Sequence, residues 1–321
     1  MNGISTARGK WDPRQETKPE VKGKLEGIVA PMATAFTESG GIDEQRTRKL
    51  VDYLIGGGID GLFPLGTSGE FALLDRDERR LVMQTVVDQA NDRVPVLVGV
   101  SDPSLANVIH FAKDAREAGA DGIVATTPYY FTTGEDGLYE HFETIASKGD
   151  LPLFIYNIPE WTHSFVTPGV VQRLVDARLI AGMKYTEYNF LNLLRFIRVA
   201  DGKISILTGS DAMTFTNLEF GGSGGVIGVA NVAPRQASSI FDEFKRGNLD
   251  AARKAQLKLL PVIEAIGIGR FPAGLKEAMR LVGMPVGNVR EPLQPLMTDE
   301  KNMVAGFLKE AGVIKKGETD D

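Results

Sequence analysis

The sequence contains no cysteine. Disulfide bonds, thiolate nucleophiles and cysteine-based metal sites are therefore excluded. An excess of basic residues is also missing, because 36 lysines and arginines stand against 42 aspartates and glutamates, for a net charge of −6. This balance argues against a nucleic-acid partner, since phosphates are neutralised by basic side chains.

Long apolar runs are absent as well. No stretch reaches the roughly 18 residues that a membrane-spanning helix needs. The N-terminal stretch MNGISTARGKWDPRQETKPE is polar and lacks the apolar centre of a secretion signal. Hydrophobic residues make up 43% of the chain and charged residues 24%, as in soluble globular proteins. We therefore expect a cytoplasmic enzyme with no membrane partner.

Candidate metal and phosphate sites are equally scarce. The three histidines, His110, His141 and His163, are scattered, and they do not combine with carboxylates into a recognisable ligand set. The phosphate-binding pattern GxxxxGK[ST] is missing, and the GGSGG stretch that begins at Gly221 is a weak signal by itself. We expect no metal.

Short apolar runs recur along the chain at intervals of roughly 25 to 35 residues. They begin near residues 27, 60, 94, 121, 151, 179, 204 and 224. Each run is apolar throughout, which is typical of a parallel strand that is buried on both faces. Segments with helical periodicity separate the runs. Capping signals support this, since Asp43 and Asp75 precede acidic first turns and Gly119 follows a helical segment.

Eight alternating strand and helix units predict an α/β fold, a (β/α)8 TIM barrel. A doubly wound open sheet is the alternative, although it rarely needs eight regularly spaced units. The predicted division is a mobile extension over 1–24, a catalytic barrel over 25–247, a small C-terminal helical appendage over 248–314 and a mobile tail over 315–321.

The carboxyl ends of the predicted strands form the rim where the active site of such a barrel lies. That rim receives Lys184 from the run LIAGMKY and Tyr156 from LPLFIYN, while Thr67 and Ser68 follow DGLFPLG. A lysine amine that is taken out of water is more readily neutral, and a neutral amine attacks a ketone to form an iminium. Nearby hydroxyls carry the protons. These residue types suit a Schiff-base lyase that acts on a 2-oxo acid.

Four ordered motifs resemble those of the dihydrodipicolinate synthase / N-acetylneuraminate lyase family of pyruvate-dependent class I aldolases. They are GTSGE at 66–70, TPYY at 127–130, YNIP at 156–159 and GMK at 182–184. The resemblance extends from about residue 27 to residue 295. It implies an enzyme that needs no cofactor and that assembles as a homotetramer, a dimer of dimers.

The resemblance also assigns roles to the site residues. It implies an imine between pyruvate and Lys184, with Tyr156 as the proton-transfer residue. Thr67 would take part in the proton relay, and Tyr130 would reach into the site of a neighbouring subunit to complete it. The residues that would line the pyruvate pocket are Gly66, Thr67, Ser68 and the main chain of Ile227.

The residues expected to bind the second substrate, the aldehyde acceptor, depart from the synthase pattern. Synthases usually carry an arginine five residues after the catalytic tyrosine, and here that position is Trp161. Tryptophan cannot make a charged bidentate contact with a carboxylate. Asp211 matches a position that touches polyol hydroxyls in sialic acid lyases. We therefore expect an aldolase that cleaves or forms a 2-keto-3-deoxy sugar acid.

Three alternatives stay open. The first is 4-hydroxy-tetrahydrodipicolinate (dihydrodipicolinate) synthase, which condenses pyruvate with aspartate semialdehyde. The second is a 2-keto-3-deoxy sugar acid dehydratase, which keeps the imine but expels water. The third is a silent barrel that serves as a scaffold. The acceptor's identity, the C4 stereochemistry and the physiological direction are not readable from these residues.

Several site residues also have purely structural interpretations. Thr67 and Ser68 could cap the helix that follows, and Asp211 could be the N-cap of a helix that begins at Ala212. Trp161 is either a lid over the substrate tail or a packed loop anchor. Tyr129 could replace Tyr130, and we expect Glu70 to be a structural residue of its turn.

Overall fold

Eight parallel strands form the centre of the molecule. The computed structural model describes residues 24–315. The strands are β1 (Gly27–Pro31), β2 (Gly61–Phe63), β3 (Leu97–Gly99), β4 (Gly122–Thr126), β5 (Leu153–Asn157), β6 (Gly182–Tyr185), β7 (Ser205–Thr208) and β8 (Gly224–Val226). Every residue of these strands is buried, as continuous apolar runs require of a parallel sheet with both faces covered.

The strand order is β2-β1-β8-β7-β6-β5-β4-β3. Its two ends meet, because Leu62 of β2 forms a parallel bridge with Val96 and the Gly99 N–H of β3 donates to the Pro64 carbonyl at 3.0 Å. The sheet is therefore a nearly closed barrel, and the predicted (β/α)8 fold is confirmed.

Helices alternate with the strands. They are α1 (Glu44–Gly56), α2 (Arg76–Ala90), α3 (Leu105–Ala118), α4 (Glu135–Gly149), α5 (Pro159–Thr162), α6 (Pro168–Asp176), α7 (Phe190–Ala200), α8 (Thr214–Glu219) and α9 (Pro234–Lys245). The expected caps are present: the Asp43 and Asp75 side chains accept N–H bonds at the starts of α1 and α2, and Gly119 ends α3 with φ 86°.

Four more helices follow α9, and we call them the appendage. They are α10 (Leu249–Lys258), α11 (Leu260–Ile266), α12 (Ala273–Leu281) and α13 (Thr298–Glu310). The domain bounds given above stay predictions. The expected mobility of the two chain ends concerns residues 1–23 and 316–321, which lie outside the described residues. Within residues 24–315, no helix is long and apolar enough to cross a membrane.

The apolar core has two parts. The larger part fills the space between the sheet and the helices, and the smaller part fills the barrel interior. The interior cluster comprises Val29, Phe63, Leu97, Val124, Phe154, Tyr156, Ile158, Ala181, Leu207 and Val226. The barrel is therefore a packed core, open to reagents only at its rim.

We predict that Gly99→Ala destabilises the barrel by about 2 kcal/mol or more, because overpacking in a core costs about 1–3 kcal/mol. A methyl group at Gly99 would lie 2.0 Å from the Leu65 carbonyl oxygen, at the seam between β2 and β3. Chemical denaturation measures the change. Gly306→Ala, in α13 with nothing within 4 Å of the added carbon, is the matched control and should be neutral or stabilising. Equal stabilities for the two variants would show that a methyl group is tolerated between β2 and β3, against this prediction.

Candidate functional site

Lys184 and Tyr156 lie side by side on the inner face of the barrel. They are direct partners in the β5–β6 register, and Lys184 also pairs with Leu207 of β7. Both partners belong to the interior cluster, so the lysine side chain enters the same space. Lys184 is only 6% exposed. Its Nζ lies 4.0 Å from the centre of the Tyr156 ring and 5.2 Å from that of Phe63, which gives the amine an aromatic and largely apolar environment.

The loop after β2 brings a hydroxyl to this pair. The Thr67 Oγ1 atom lies 3.2 Å from the Tyr156 hydroxyl, within hydrogen-bonding distance. Thr67 begins a 3-10 turn, Thr67–Gly69, which Gly66 precedes in an extended conformation. A side chain at Gly66 would approach the Phe63 ring to 2.9 Å, so the glycine lets the turn sit close to the barrel mouth. The site therefore contains an amine, a phenol and a hydroxyl in a connected row.

The predicted structural role of Glu70 agrees with its surroundings. Glu70 ends the 3-10 turn in the left-handed conformation, with φ 55°. Its buried carboxylate pairs with Lys276 at 2.6 Å and accepts the Arg290 N–H at 2.7 Å. The carboxylate thus points away from the amine of Lys184 and toward the appendage.

Sequence reasoning missed two residues that shape the space beside the amine. A methyl group at Gly209 would lie 1.8 Å from the Thr186 Oγ1 and 2.8 Å from Lys184 Cε. The absence of a side chain at Gly209 therefore leaves room for the lysine chain. The Thr186 hydroxyl is buried and has no hydrogen-bond partner among residues 24–315. Buried hydroxyls normally have partners, so an unpaired one beside the amine is available to a bound molecule.

Asp211 does not cap a helix, so that alternative was wrong. It is itself the first residue of a 3-10 turn, Asp211–Met213, and its Oδ1 accepts the Val229 N–H at 2.8 Å. It thereby ties the loop after β7 to the loop after β8. Burial raises the pKa of Asp211, while the Val229 N–H and the positive charge of Lys184 act in the opposite direction.

Ile227 follows β8 directly, with a fully buried side chain. Its N–H donates to the Val29 carbonyl at 3.2 Å, and its carbonyl accepts the Ala230 N–H. The main chain at this position is therefore fixed between β1 and the turn Gly228–Asn231. It is a rigid part of the wall at the carboxyl end of the barrel.

The two tyrosines of the loop after β4, Tyr129 and Tyr130, differ sharply in their exposure to solvent. Tyr129 is half-buried, its ring meets Phe71 edge-on at 6.4 Å, and burial raises its pKa to about 12. Tyr130 is 85% exposed and Phe131 80% exposed, and Tyr130 has a left-handed φ of 74°. Tyr129 thus packs within the chain, whereas the Tyr130 side chain projects away from it.

Trp161 lies in the short helix α5, just after β5, and is 53% exposed. Among residues 24–315, no group of three or more histidines, aspartates or glutamates could hold a metal ion.

We predict a pH-dependent stability contribution from Asp211. Its raised pKa means that the folded protein binds this proton more tightly than the unfolded chain, so the contribution is full at acidic pH and is lost as the pH rises through the folded-state value. Asp211→Asn keeps an acceptor for Val229 and removes the titration. Urea unfolding at pH 5 and at pH 8 should show the variant gaining stability relative to wild type at the higher pH. The prediction would be contradicted if the difference in stability between Asp211→Asn and wild type were the same at both pH values.

Comparison with protein families identifies relatives over nearly the whole described chain. The model of the dihydrodipicolinate synthetase family matches residues 24–311. The 4-hydroxy-tetrahydrodipicolinate synthase of Pelobacter propionicus is 34% identical over 290 residues, which cover 90% of this chain and 100% of that protein. The enzyme of the same name from Geotalea daltonii is 34% identical over 293 residues, with coverages of 91% and 99%.

Solved structures give the same result. YagE, a prophage protein of the dihydrodipicolinic acid synthase family from Escherichia coli, was solved in complex with pyruvate. It is 33% identical and superposes with a TM-score of 0.87 over 90% of this chain and 99% of that chain. A dihydrodipicolinate synthase from Acinetobacter baumannii, also complexed with pyruvate, is 27% identical, with a TM-score of 0.88 and coverages of 91% and 100%.

Proposed function

The chain belongs to the dihydrodipicolinate synthetase family, and from this premise we propose that Lys184 forms the Schiff base with pyruvate in a class I aldolase. The chemistry of the family joins pyruvate to a lysine amine and needs no cofactor. The observation that carries the proposal is the 4.0 Å approach of the Lys184 Nζ to the Tyr156 ring inside the barrel. The neutral amine of a lysine is the nucleophile in imine formation.

The proposed reaction begins with attack of the Lys184 amine on the C2 ketone of pyruvate. Loss of water gives the imine, and removal of a methyl proton gives an enamine, whose carbon attacks the aldehyde of the second substrate. The aldehyde oxygen takes up a proton, and water then hydrolyses the imine, which restores the Lys184 amine and leaves a C2 ketone on the product. Tyr156 moves these protons, and Thr67, 3.2 Å away, passes them along.

The pyruvate carboxylate is proposed to bind at the turn after β2. Thr67 and Ser68 provide hydroxyls and N–H groups there, and Gly66 lets the chain approach the site. The main chain at Ile227 closes the opposite side. The segment after β1 also holds the turn, because the Thr34 hydroxyl donates to the Gly69 carbonyl at 2.6 Å.

We also propose that the protein is a cytoplasmic homotetramer, a dimer of dimers, in which Tyr130 completes the relay of a neighbouring subunit. The high exposure of Tyr130 and Phe131 supports this, because two adjacent exposed aromatic rings are what an interface buries. A left-handed conformation is costly for a tyrosine, so surrounding structure must maintain it.

For the second substrate, the comparisons reverse the expectation from the sequence. That expectation placed a sugar-acid aldolase first and the synthase second. The curated relatives that cover about nine tenths of the chain are named 4-hydroxy-tetrahydrodipicolinate synthase, which supports the synthase better. We therefore propose condensation of pyruvate with aspartate semialdehyde as the leading activity.

One observation keeps the sugar-acid aldolase as a second candidate. Trp161 occupies the position where a carboxylate-binding arginine is expected of a synthase, and its half-exposed ring offers no cation. Asp211 and the unpaired Thr186 hydroxyl suit the hydroxyl groups of a sugar-acid tail. A dehydratase would use the same imine and differ in expelling water.

We predict that borohydride reduction in the presence of pyruvate attaches the three-carbon unit to Lys184, as read by peptide mass spectrometry. Lys184→Ala should abolish the adduct, because Lys184 carries the amine that lies against the Tyr156 ring. Tyr156→Phe should still trap pyruvate but turn over about 10²- to 10⁴-fold more slowly, the usual effect of losing a proton carrier. Label on another lysine would overturn the mechanism, and no label at all would favour the silent scaffold.

We predict that the wild-type enzyme condenses pyruvate with aspartate semialdehyde and that Trp161→Arg improves kcat/KM for this aldehyde by about ten-fold, the effect of one added charged hydrogen bond. A coupled assay of product formation measures both. Trp161→Leu is the control, since it removes the ring without adding a cation. Pyruvate release from 2-keto-3-deoxy sugar acids, without turnover of the aldehyde, would establish the second candidate instead.

A further inference from the structure

The turn that carries Thr67 and Ser68 is held on its outer side by a single buried carboxylate. Glu70 lies two residues after Ser68 and adopts a left-handed conformation between the turns Thr67–Gly69 and Phe71–Leu73. A left-handed non-glycine residue costs roughly 1–2 kcal/mol, so its position must be imposed by contacts of the side chain or its neighbours. The contacts of the Glu70 carboxylate therefore help to set where the turn lies, together with the Thr34 hydrogen bond to Gly69.

Those contacts come from the appendage and from the segment that follows α12. Lys276 of α12 places its Nζ 2.6 Å from Glu70 Oε1, and the two side chains are only 3% and 1% exposed. The Arg290 N–H donates to the other carboxylate oxygen at 2.7 Å. Lys276 also donates to the Asn288 carbonyl at 2.9 Å, so the same ammonium ties the carboxylate to the chain that supplies Arg290.

Apolar contacts cannot easily take over the role of the buried ion pair between Glu70 and Lys276. Loss of one member of a buried ion pair leaves an uncompensated charge, which is strongly destabilising. Lys276 also lines a cavity of about 730 Å³ together with residues 285–290. The buried ion pair is therefore a link between this region and the turn, in addition to the hydrogen bond from Thr34 to Gly69.

We propose that Lys276 is a positioning residue for pyruvate binding: it holds Glu70, and through Glu70 it holds the Thr67–Ser68 turn against Tyr156. The inference rests on the proposed function of that turn as the pyruvate carboxylate site. Under this proposal α12 helps to position the active site, although Lys276 touches neither substrate nor Lys184.

The test compares Lys276→Met with the neutral double variant Glu70→Gln/Lys276→Met. The readout is the pyruvate concentration that gives half-maximal borohydride trapping, together with KM for the second substrate. Both variants should require about ten-fold more pyruvate, because a small misplacement of a binding group costs one to two orders of magnitude. KM for the second substrate should change less than about two-fold, since that substrate does not bind the turn.

Thermal denaturation separates positioning from folding. Lys276→Met leaves Glu70 buried without its cation and should melt earlier, whereas the double variant should regain most of the lost stability and still need more pyruvate. Should Lys276→Met fail to fold, the double variant carries the test. Arg280→Met, which removes the exposed guanidinium that pairs with the buried carboxylate of Glu277 in the same helix, is the matched control and should bind pyruvate like wild type.

The outcomes are distinct for the two proposals. No trapping by the wild-type enzyme would refute the proposed function itself. Wild-type trapping together with an unchanged pyruvate requirement in the folded double variant would refute the positioning role of Lys276 and leave the proposed function standing. If KM for the second substrate rose as much as the pyruvate requirement, the variant would have a general structural defect, and the positioning role of Lys276 would also be refuted.

Discussion

The contact between Lys184 and Tyr156 inside the barrel is the constraint around which the rest of the structure is arranged. Parallel pairing of β5 with β6 puts the two residues in register, and the period of two along a strand sends both side chains inward. Because the interior is closely packed, the amine cannot reach bulk water easily. A lysine, which is normally an exposed residue, is thereby held against aromatic rings inside the barrel.

The support for this contact comes from loops that lie far apart in sequence. Thr67 reaches Tyr156 from the loop after β2, and Gly209 makes room for the lysine chain from the loop after β7. Glu70 then links the first of these loops to α12, some two hundred residues later in the chain. The appendage is therefore coupled to the barrel through buried charge as well as through apolar packing.

Acceptor specificity has a different physical origin. The proposed pyruvate side of the site consists of strand ends and the turn Thr67–Gly69, whereas Trp161 and Tyr130 are more than half exposed. Loops of this kind vary without affecting the barrel. A family that keeps one imine chemistry can therefore change its second substrate through a few rim residues. For this reason, relatives that are one third identical are a better guide to the imine-forming step than to the identity of the second substrate.

The fold and the chemical class were readable from the sequence. Apolar runs with helical segments between them indicate a parallel sheet that is covered on both faces, and the regular spacing of eight such units favours a barrel over a doubly wound open sheet. The order of Thr67, Tyr156 and Lys184 along the chain placed the candidate site at one rim. Only the tertiary structure decided the partners of Glu70 and Asp211, since Lys276 and Val229 reach them through long-range folding that no local pattern encodes. Side-chain pairing across distant loops depends on three-dimensional packing, whereas strand and helix periodicity is written into neighbouring residues.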